Sequence, residues 1–180
     1  MANLLTAIRL LLALPVAISM AHAGFLSPGV VLLLLIFATA SDYFDGKVAR
    51  AKGTASPKGM LFDHGTDFLF VTSGLAGAAW AGLLHWILPV LIFIAFSQYV
   101  LDSYFLFRHK QLRMSFLGRW NGILYFVPLF GISLARLIPD ELPGEILLVL
   151  VEALSVALIL STLVSIIDRS IAPFRKAQKG

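Results

Sequence analysis

The sequence predicts an all-α protein that crosses a membrane with six helices. Hydrophobic residues make up 59% of the 180-residue chain, and the mean hydropathy of +0.90 is too high for a soluble domain of this length. Six apolar segments are long enough to cross a bilayer, which takes about 20 helical residues. Regular alternation of apolar and polar residues, the pattern of transmembrane strands, does not extend over a useful length.

The predicted helices begin and end at local sequence signals. Ser27-Pro28 and Ser56-Pro57 each place a capping serine before a proline suited to the first helical turn. Pro173 follows the last apolar segment and is expected to end its helix. The predicted spans are Leu4–Ala23, Gly29–Val48, Lys58–Leu83, Trp86–Arg108, Gly118–Leu137 and Gly144–Asp168. No linker or repeat divides the chain, so residues 1–180 are expected to form a single membrane-embedded domain.

Positive charge lies almost entirely on one side of the predicted helices. The basic residues of that side are Lys47, Arg50, Lys52, Lys58, Arg108, Lys110, Arg113, Arg119, Arg169, Arg175, Lys176 and Lys179. The opposite loops at 21–28 and 82–85 carry none. The positive-inside rule therefore places both termini and the polar ends of the second and third spans in the cytoplasm, as in a bacterial inner-membrane protein. The net charge of +4 suits contact with anionic membrane lipids, whereas the short loops offer no folded platform for a nucleic acid.

The first apolar segment has a second interpretation. Leu10–Met20 followed by Ala21-His22-Ala23 resembles the core and cleavage site of a signal peptide. Only Arg9 supplies positive charge before this core. We expect the segment to be retained as the first span.

Four carboxylates lie near the ends of the second and third predicted helices. Asp42 and Asp45 are three residues apart, and Asp63 and Asp67 are four apart, so each pair shares one helix face. A charge in a bilayer costs about 2.5–3.5 kcal/mol on insertion scales, so these groups need a compensating charge. Two divalent cations would balance four carboxylates, and all-oxygen donors suit Mg²⁺ or Mn²⁺. Such ions would bind a diphosphate and neutralise charge during its transfer.

Other residues near these acids suit a phosphate ligand. Gly46 and Gly59 leave room for a ligand to approach the backbone, and the planar fork of Arg50 fits phosphate oxygens. His64 is one position off the acidic face of the third helix and is not counted as a ligand. In the alternative interpretation, the acids form internal ion pairs with Arg50 and Lys47.

These residues together resemble a known family. The pattern Asp42-x-x-Asp45-Gly46-x-x-Ala49-Arg50, eight further residues, then Gly59-x-x-x-Asp63-x-x-x-Asp67 matches the signature of the CDP-alcohol phosphotransferases without a mismatch. Members of this family move a phosphatidyl, or similar phospho-substituted, group from a CDP-linked donor such as CDP-diacylglycerol to an alcohol, and release CMP. The resemblance extends to chain length and to six spans.

The resemblance implies roles for individual residues. The metal ligands would be Asp42, Asp45 and Asp63, with Asp67 as a further ligand and general base. The residues lining the CDP site would be Gly46, Ala49, Arg50 and Gly59. The segment from Asn3 to Arg9 is similar to the family's first helix, so Asn3 and Thr6 are weaker candidates for the nucleotide site, and Arg9 is interpreted as marking the cytoplasmic end. Family members commonly form homodimers, so Gly74 and Gly77 would pack helices closely either within the chain or between two copies.

The acceptor is less clearly indicated. Bacterial phosphatidylglycerophosphate synthases often carry a Lys after the last motif Asp, where this chain has Phe68, and an Arg-Glu pair on the fourth span, which this chain lacks. Arg119, Arg108 and Arg113 are candidates to hold a phosphorylated acceptor, with glycerol 3-phosphate as the first expectation and inositol phosphate or another alcohol as the alternative. Loop charge is the other interpretation of these arginines, and Asp102 would bind acceptor hydroxyls or serve structure alone.

Two other function classes also place acids in a membrane. A membrane prenyltransferase uses acidic pairs with Mg²⁺ on a diphosphate, and a small transporter uses intramembrane acids without chemistry. Neither class accounts for the glycine, alanine and arginine positions around Asp45.

Overall fold

The computed structural model describes the backbone of residues 2–51, 57–101, 116–138 and 142–177, and the side chains of residues 5–41, 59, 61–101, 116–138 and 142–171. Within these ranges every regular element is a helix, as the sequence predicts. The helices are α1 (Ala2–Ala21), α2 (Pro28–Ala51), α3 (Pro57–Trp80), α4 (Ile87–Leu101), α5 (Phe116–Leu124), α6 (Phe126–Leu137) and α7 (Leu142–Ala177). Both α2 and α3 begin at the prolines that the sequence marks as helix starts.

Two prolines affect the helices differently from what the sequence predicts. The fifth predicted span is divided into α5 and α6 by a turn at Tyr125, because Pro128 cannot donate a hydrogen bond to the carbonyl four residues earlier and its ring crowds that carbonyl. The backbone N–H of Tyr125 still donates to the Asn121 carbonyl at 2.9 Å. The expectation that Pro173 ends the last helix is wrong, since α7 continues to Ala177. A proline removes only one ladder hydrogen bond, and a long helix can continue past it.

Helices α1 and α3 pack closely against each other. A Cβ atom on Gly77 would lie 2.2 Å from the carbonyl oxygen of Ala17, so only glycine fits there. A Cβ atom on Gly74 would lie 3.1 Å from the side chain of Leu129 on α6. Both small residues therefore serve packing inside the chain, which is one of the two roles that the sequence left open for them.

An arginine of α6 holds the C-terminal end of α1. Arg136, in the last turn of α6, donates from Nη1 to the Ser19 carbonyl at 2.6 Å and from Nη2 to the Met20 carbonyl at 2.8 Å. These carbonyls belong to the last turn of α1, where no intrahelical partner remains for them. Arg136 thereby fixes α6 to α1.

The distribution of polar and apolar side chains indicates a membrane protein. Large apolar side chains such as Leu11 and Leu14 are 75% and 67% exposed, while the charged Arg9 is fully buried. Phe116–Leu137 and Leu142–Ile171 are long and apolar enough to cross a bilayer, judged by length and composition. Leu5–Ala21, Pro28–Ser41 and Ile87–Leu101 are shorter apolar helices. The number of spans and the side on which the termini lie stay predictions.

Candidate active site

The first polar turns of α3 bring three possible metal ligands together. The ligand atoms of Asp63, His64 and Asp67 all lie within 4.8 Å of one another. The two carboxylates remain partly accessible, with 26% and 22% of their side-chain surface exposed. Carboxylate oxygens with one imidazole nitrogen are donors that suit a divalent ion such as Mn²⁺. The imidazole of His64, one position off the acidic face, lies within reach of an ion held by its two neighbours, so its exclusion as a ligand stays a prediction.

A buried cation from α1 contacts the same carboxylates. Arg9 is 0% exposed, and its Nη1 donates to Oδ1 of Asp67 and lies 3.5 Å from Oδ1 of Asp63. Thr6, one turn earlier on α1, donates from Oγ1 to Oδ1 of Asp63 at 3.3 Å. The interpretation of Arg9 as a marker of the cytoplasmic end is too narrow. A single arginine inside an apolar helix needs a buried partner, and that requirement could have indicated the contact.

The remaining motif residues lie on described helices, but apart from Gly59 their side chains lie outside the described residues. Asp42, Asp45, Gly46, Ala49 and Arg50 belong to the last part of α2. Asn3 lies in the first turn of α1, and Gly59 lies in the first turn of α3. The convergence of the α2 acids with those of α3, and the alternative ion pairs with Arg50 and Lys47, stay predictions.

A large cavity opens beside Asp67 and His64. Its volume is about 620 Å³, and it is lined by residues of α2 to α7. Aromatic side chains form much of its wall, where Phe68 stacks on Phe96 with ring centroids 4.1 Å apart. A space of this size, mostly apolar with a few polar groups, is typical of a ligand site.

Two arginines line the same cavity. Arg119 lies on α5 and Arg169 on α7. The guanidinium of Arg169 lies over the Tyr99 ring, 5.1 Å from its centroid, which is within the range of a cation–π interaction. Sequence reasoning treated Arg169 as topology charge and missed this position. Arg108, Arg113 and Asp102 lie outside the described residues.

A polar network supports the cavity wall where the fifth span is broken. The Tyr125 and Thr162 hydroxyls are 2.7 Å apart, and Ser161 donates to Oδ1 of Asn121 at 2.7 Å. Asn121 is only 3% exposed and faces α7, so it supports the wall that carries Arg119. On the α4 side, Gln98 donates to Ser170 at 2.9 Å and ties α4 to α7.

Comparison of the sequence with known proteins identifies the family of this chain. One curated relative is the "Cardiolipin synthase (CMP-forming)" of Streptomyces coelicolor, 32% identical over 111 residues, which is 59% of this chain and 52% of the relative. Another is the "Uncharacterized CDP-alcohol phosphatidyltransferase class-I family protein 3" of Dictyostelium discoideum, 50% identical over 40 residues, 22% of this chain and 10% of the relative. The matches thus span about half of the first relative and a tenth of the second. The sequence model of the CDP-alcohol phosphatidyltransferase family matches residues 1–168. The chain belongs to the CDP-alcohol phosphatidyltransferase family.

Proposed function

We propose that this protein transfers a phosphatidyl, or similar phospho-substituted, group from a CDP-linked donor such as CDP-diacylglycerol to an alcohol, releasing CMP, in phospholipid biosynthesis. The observation that carries the proposal is the pair of partly accessible carboxylates, Asp63 and Asp67, of which Asp67 lines a cavity large enough for a substrate. Family membership over residues 1–168 supports the same reaction.

The proposed reaction assigns a task to each part of the site. Asp63 and Asp67 would hold Mg²⁺ or Mn²⁺ together with Asp42 and Asp45, in a site for two ions. Bound there, the ions would neutralise charge on the donor diphosphate. An oxygen of the alcohol forms a bond to the phosphatidyl phosphorus, and the bond from that phosphorus to the CMP oxygen breaks. Asp67 would accept the proton of the alcohol, since it faces the cavity in which the alcohol would bind.

The nucleotide is assigned to the other motif residues. Gly46, Ala49, Arg50 and Gly59 would line the CDP site, with Asn3 and Thr6 as weaker candidates. The hydroxyl of Thr6 lies 3.3 Å from an Asp63 oxygen, so it is close enough to the carboxylates to meet a ligand bound there.

The acceptor is proposed to carry a phosphate that is read by Arg119. Arg119 and Arg169 both line the cavity next to Asp67, and guanidinium groups are well suited to phosphate oxygens. Glycerol 3-phosphate remains the first candidate, and inositol phosphate is an alternative. The apolar aromatic wall favours a lipid alcohol as a further candidate.

The setting of the reaction is also part of the proposal. Six spans would embed the protein in a bacterial inner membrane, with both termini and the active site facing the cytoplasm. A homodimer would be the working form. The uneven distribution of lysine and arginine between the loops supports this orientation.

Release of CMP tests the proposal. The purified protein would be incubated with CDP-diacylglycerol, Mg²⁺ and, separately, glycerol 3-phosphate, inositol phosphate, phosphatidylglycerol or glycerol. We expect CMP and a new phospholipid in amounts that match, with at least one of these alcohols. A prenyl diphosphate offered in place of the CDP donor should give no product. Absence of CMP with every alcohol, or prenyl transfer, would contradict the proposed reaction.

A further inference from the structure

The first helix places a full positive charge inside the acidic site. Arg9 is the largest fully buried side chain among the described residues. A single nitrogen, Nη1, reaches one oxygen on each of the two α3 carboxylates. A divalent ion bound by Asp63 and Asp67 would therefore share these ligands with a guanidinium.

The position of this cation is fixed by helix packing. Helix α1 lies against α3 so closely that Gly77 has no room for a side chain beside Ala17. Arg136 holds the far end of α1 through the carbonyls of Ser19 and Met20. Helix α1 is thus anchored at two further points, and it holds the backbone of Arg9 close to the acids of α3.

We propose that Arg9 is a positioning residue of the metal site, which holds the Asp63 and Asp67 carboxylates in place and at the same time lowers their affinity for the divalent ion. This inference rests on the proposed metal-dependent function. Positive charges a few ångströms apart repel each other, and burial weakens the screening by solvent. A carboxylate pair that is left without a buried partner destabilises the fold, so the same arginine stabilises the protein when no metal is bound.

Two measurements that do not depend on activity separate these effects. In Arg9→Gln the charge is removed and an amide donor is kept. We expect Mn²⁺, measured by the electron paramagnetic resonance of the free ion, to bind the full-length Arg9→Gln protein roughly tenfold more tightly than the parent. We also expect a lower melting temperature in metal-free buffer, and a larger rise on adding Mn²⁺ than the parent shows.

Two further variants serve as controls. Arg9→Lys keeps the charge and should bind Mn²⁺ with an affinity close to that of the parent. Arg136→Gln removes the anchor at the other end of α1, so it should lower the melting temperature without changing the affinity for Mn²⁺. Together they distinguish the charge of Arg9 from general loosening of α1.

The Mn²⁺ affinities and melting temperatures of these variants either support the proposed role of Arg9 or contradict it. An Arg9→Gln protein that folds only with Mn²⁺ present is the extreme form of the expected result and supports the inference. Equal or weaker Mn²⁺ binding by Arg9→Gln, failure to fold in saturating Mn²⁺, or an equal gain in affinity in Arg136→Gln would overturn it. A parent protein that binds no Mn²⁺ would instead contradict the metal-dependent function on which the inference rests.

Discussion

Single charged side chains define the site in this protein. Asp63 and Asp67 are bound from α1 by Arg9 and Thr6, and the cavity beside them is lined by Arg119 and Arg169. A charged group at membrane depth is costly unless a partner or ligand compensates it. The acids have such a partner in Arg9. The two cavity arginines line the space in which an anionic acceptor is proposed to bind.

At the residue scale, the acceptor assignment predicts a selective kinetic defect. Arg119→Ala should raise the KM for a phosphorylated acceptor far more than the KM for the CDP-linked donor. The loss should be on the order of 1.5–3 kcal/mol, as for a hydrogen bond to a charged group. Steady-state kinetics with each substrate varied in turn would measure both constants.

Arg136→Ala is the matched control for this experiment, since Arg136 contacts backbone carbonyls of α1 and does not line the cavity. It should leave both KM values near those of the parent. Unchanged acceptor kinetics in Arg119→Ala, or exclusive use of an uncharged alcohol, would exclude the role of Arg119 and leave the transfer reaction itself in place.

Sequence spacing predicts contacts within one helix better than contacts between helices. The shared face of Asp63 and Asp67 follows from four-residue spacing, and the structure brings the two carboxylates together as expected. The roles of Arg9 and Arg169 depend on which helices pack together, and periodicity does not specify that. Arg9 was nevertheless detectable in principle, because a lone charge in an apolar segment requires a partner.

At the scale of helices, the packing of α1 against α3 positions the buried cation. The contact depends on Gly77, where a Cβ atom would lie 2.2 Å from a backbone oxygen that cannot rotate away. Gly77→Ala should therefore force the helices apart, with a loss of stability of about 1–3 kcal/mol, as for an overpacked core. The melting temperature in detergent would report this loss.

Gly65→Ala on the same helix is the control, since a Cβ atom there meets no atom within 4 Å. It should leave the melting temperature unchanged or slightly higher, because alanine favours the helix over glycine. Equal melting temperatures for Gly77→Ala and the parent would show that the α1–α3 contact is looser than described.

Helix boundaries were predictable where capping signals are strong and less so at prolines. The two Ser-Pro pairs predict the starts of α2 and α3, which begin at Pro28 and Pro57. Ser56, the serine of the second pair, lies outside the described residues. Pro128 accounts for the break at Tyr125, whereas apolar length alone predicts one continuous span. At Pro173 the sequence predicts a helix end that the structure does not have, because α7 continues beyond this residue.

At the scale of the whole molecule, the charge asymmetry predicts the orientation in the membrane. The chain contains no cysteine, so single cysteines can be introduced without a background. Ser27→Cys and His85→Cys lie in exposed segments between helices on the predicted outer side. An impermeant maleimide should label both in intact bacterial cells, whereas Lys179→Cys near the C-terminus should be labelled only after lysis.

The opposite labelling pattern would place the acidic site outside the cytoplasm and refute the proposed orientation. Labelling of Ser27→Cys and His85→Cys on different sides would refute the predicted number of spans, since α2 and α3 together connect these two segments.

The α3 carboxylates are proposed to work through a bound divalent ion, and removal of the metal is the direct test of that role. The measurement is CMP release from CDP-diacylglycerol by the purified protein, before and after EDTA and after re-addition of Mg²⁺ or Mn²⁺, with Asp63→Asn beside the parent. We expect EDTA to abolish release by the parent, either ion to restore it, and Asp63→Asn to stay inactive throughout while purifying normally. Full CMP release by the parent in metal-free buffer, or near-normal release by Asp63→Asn, would contradict the account.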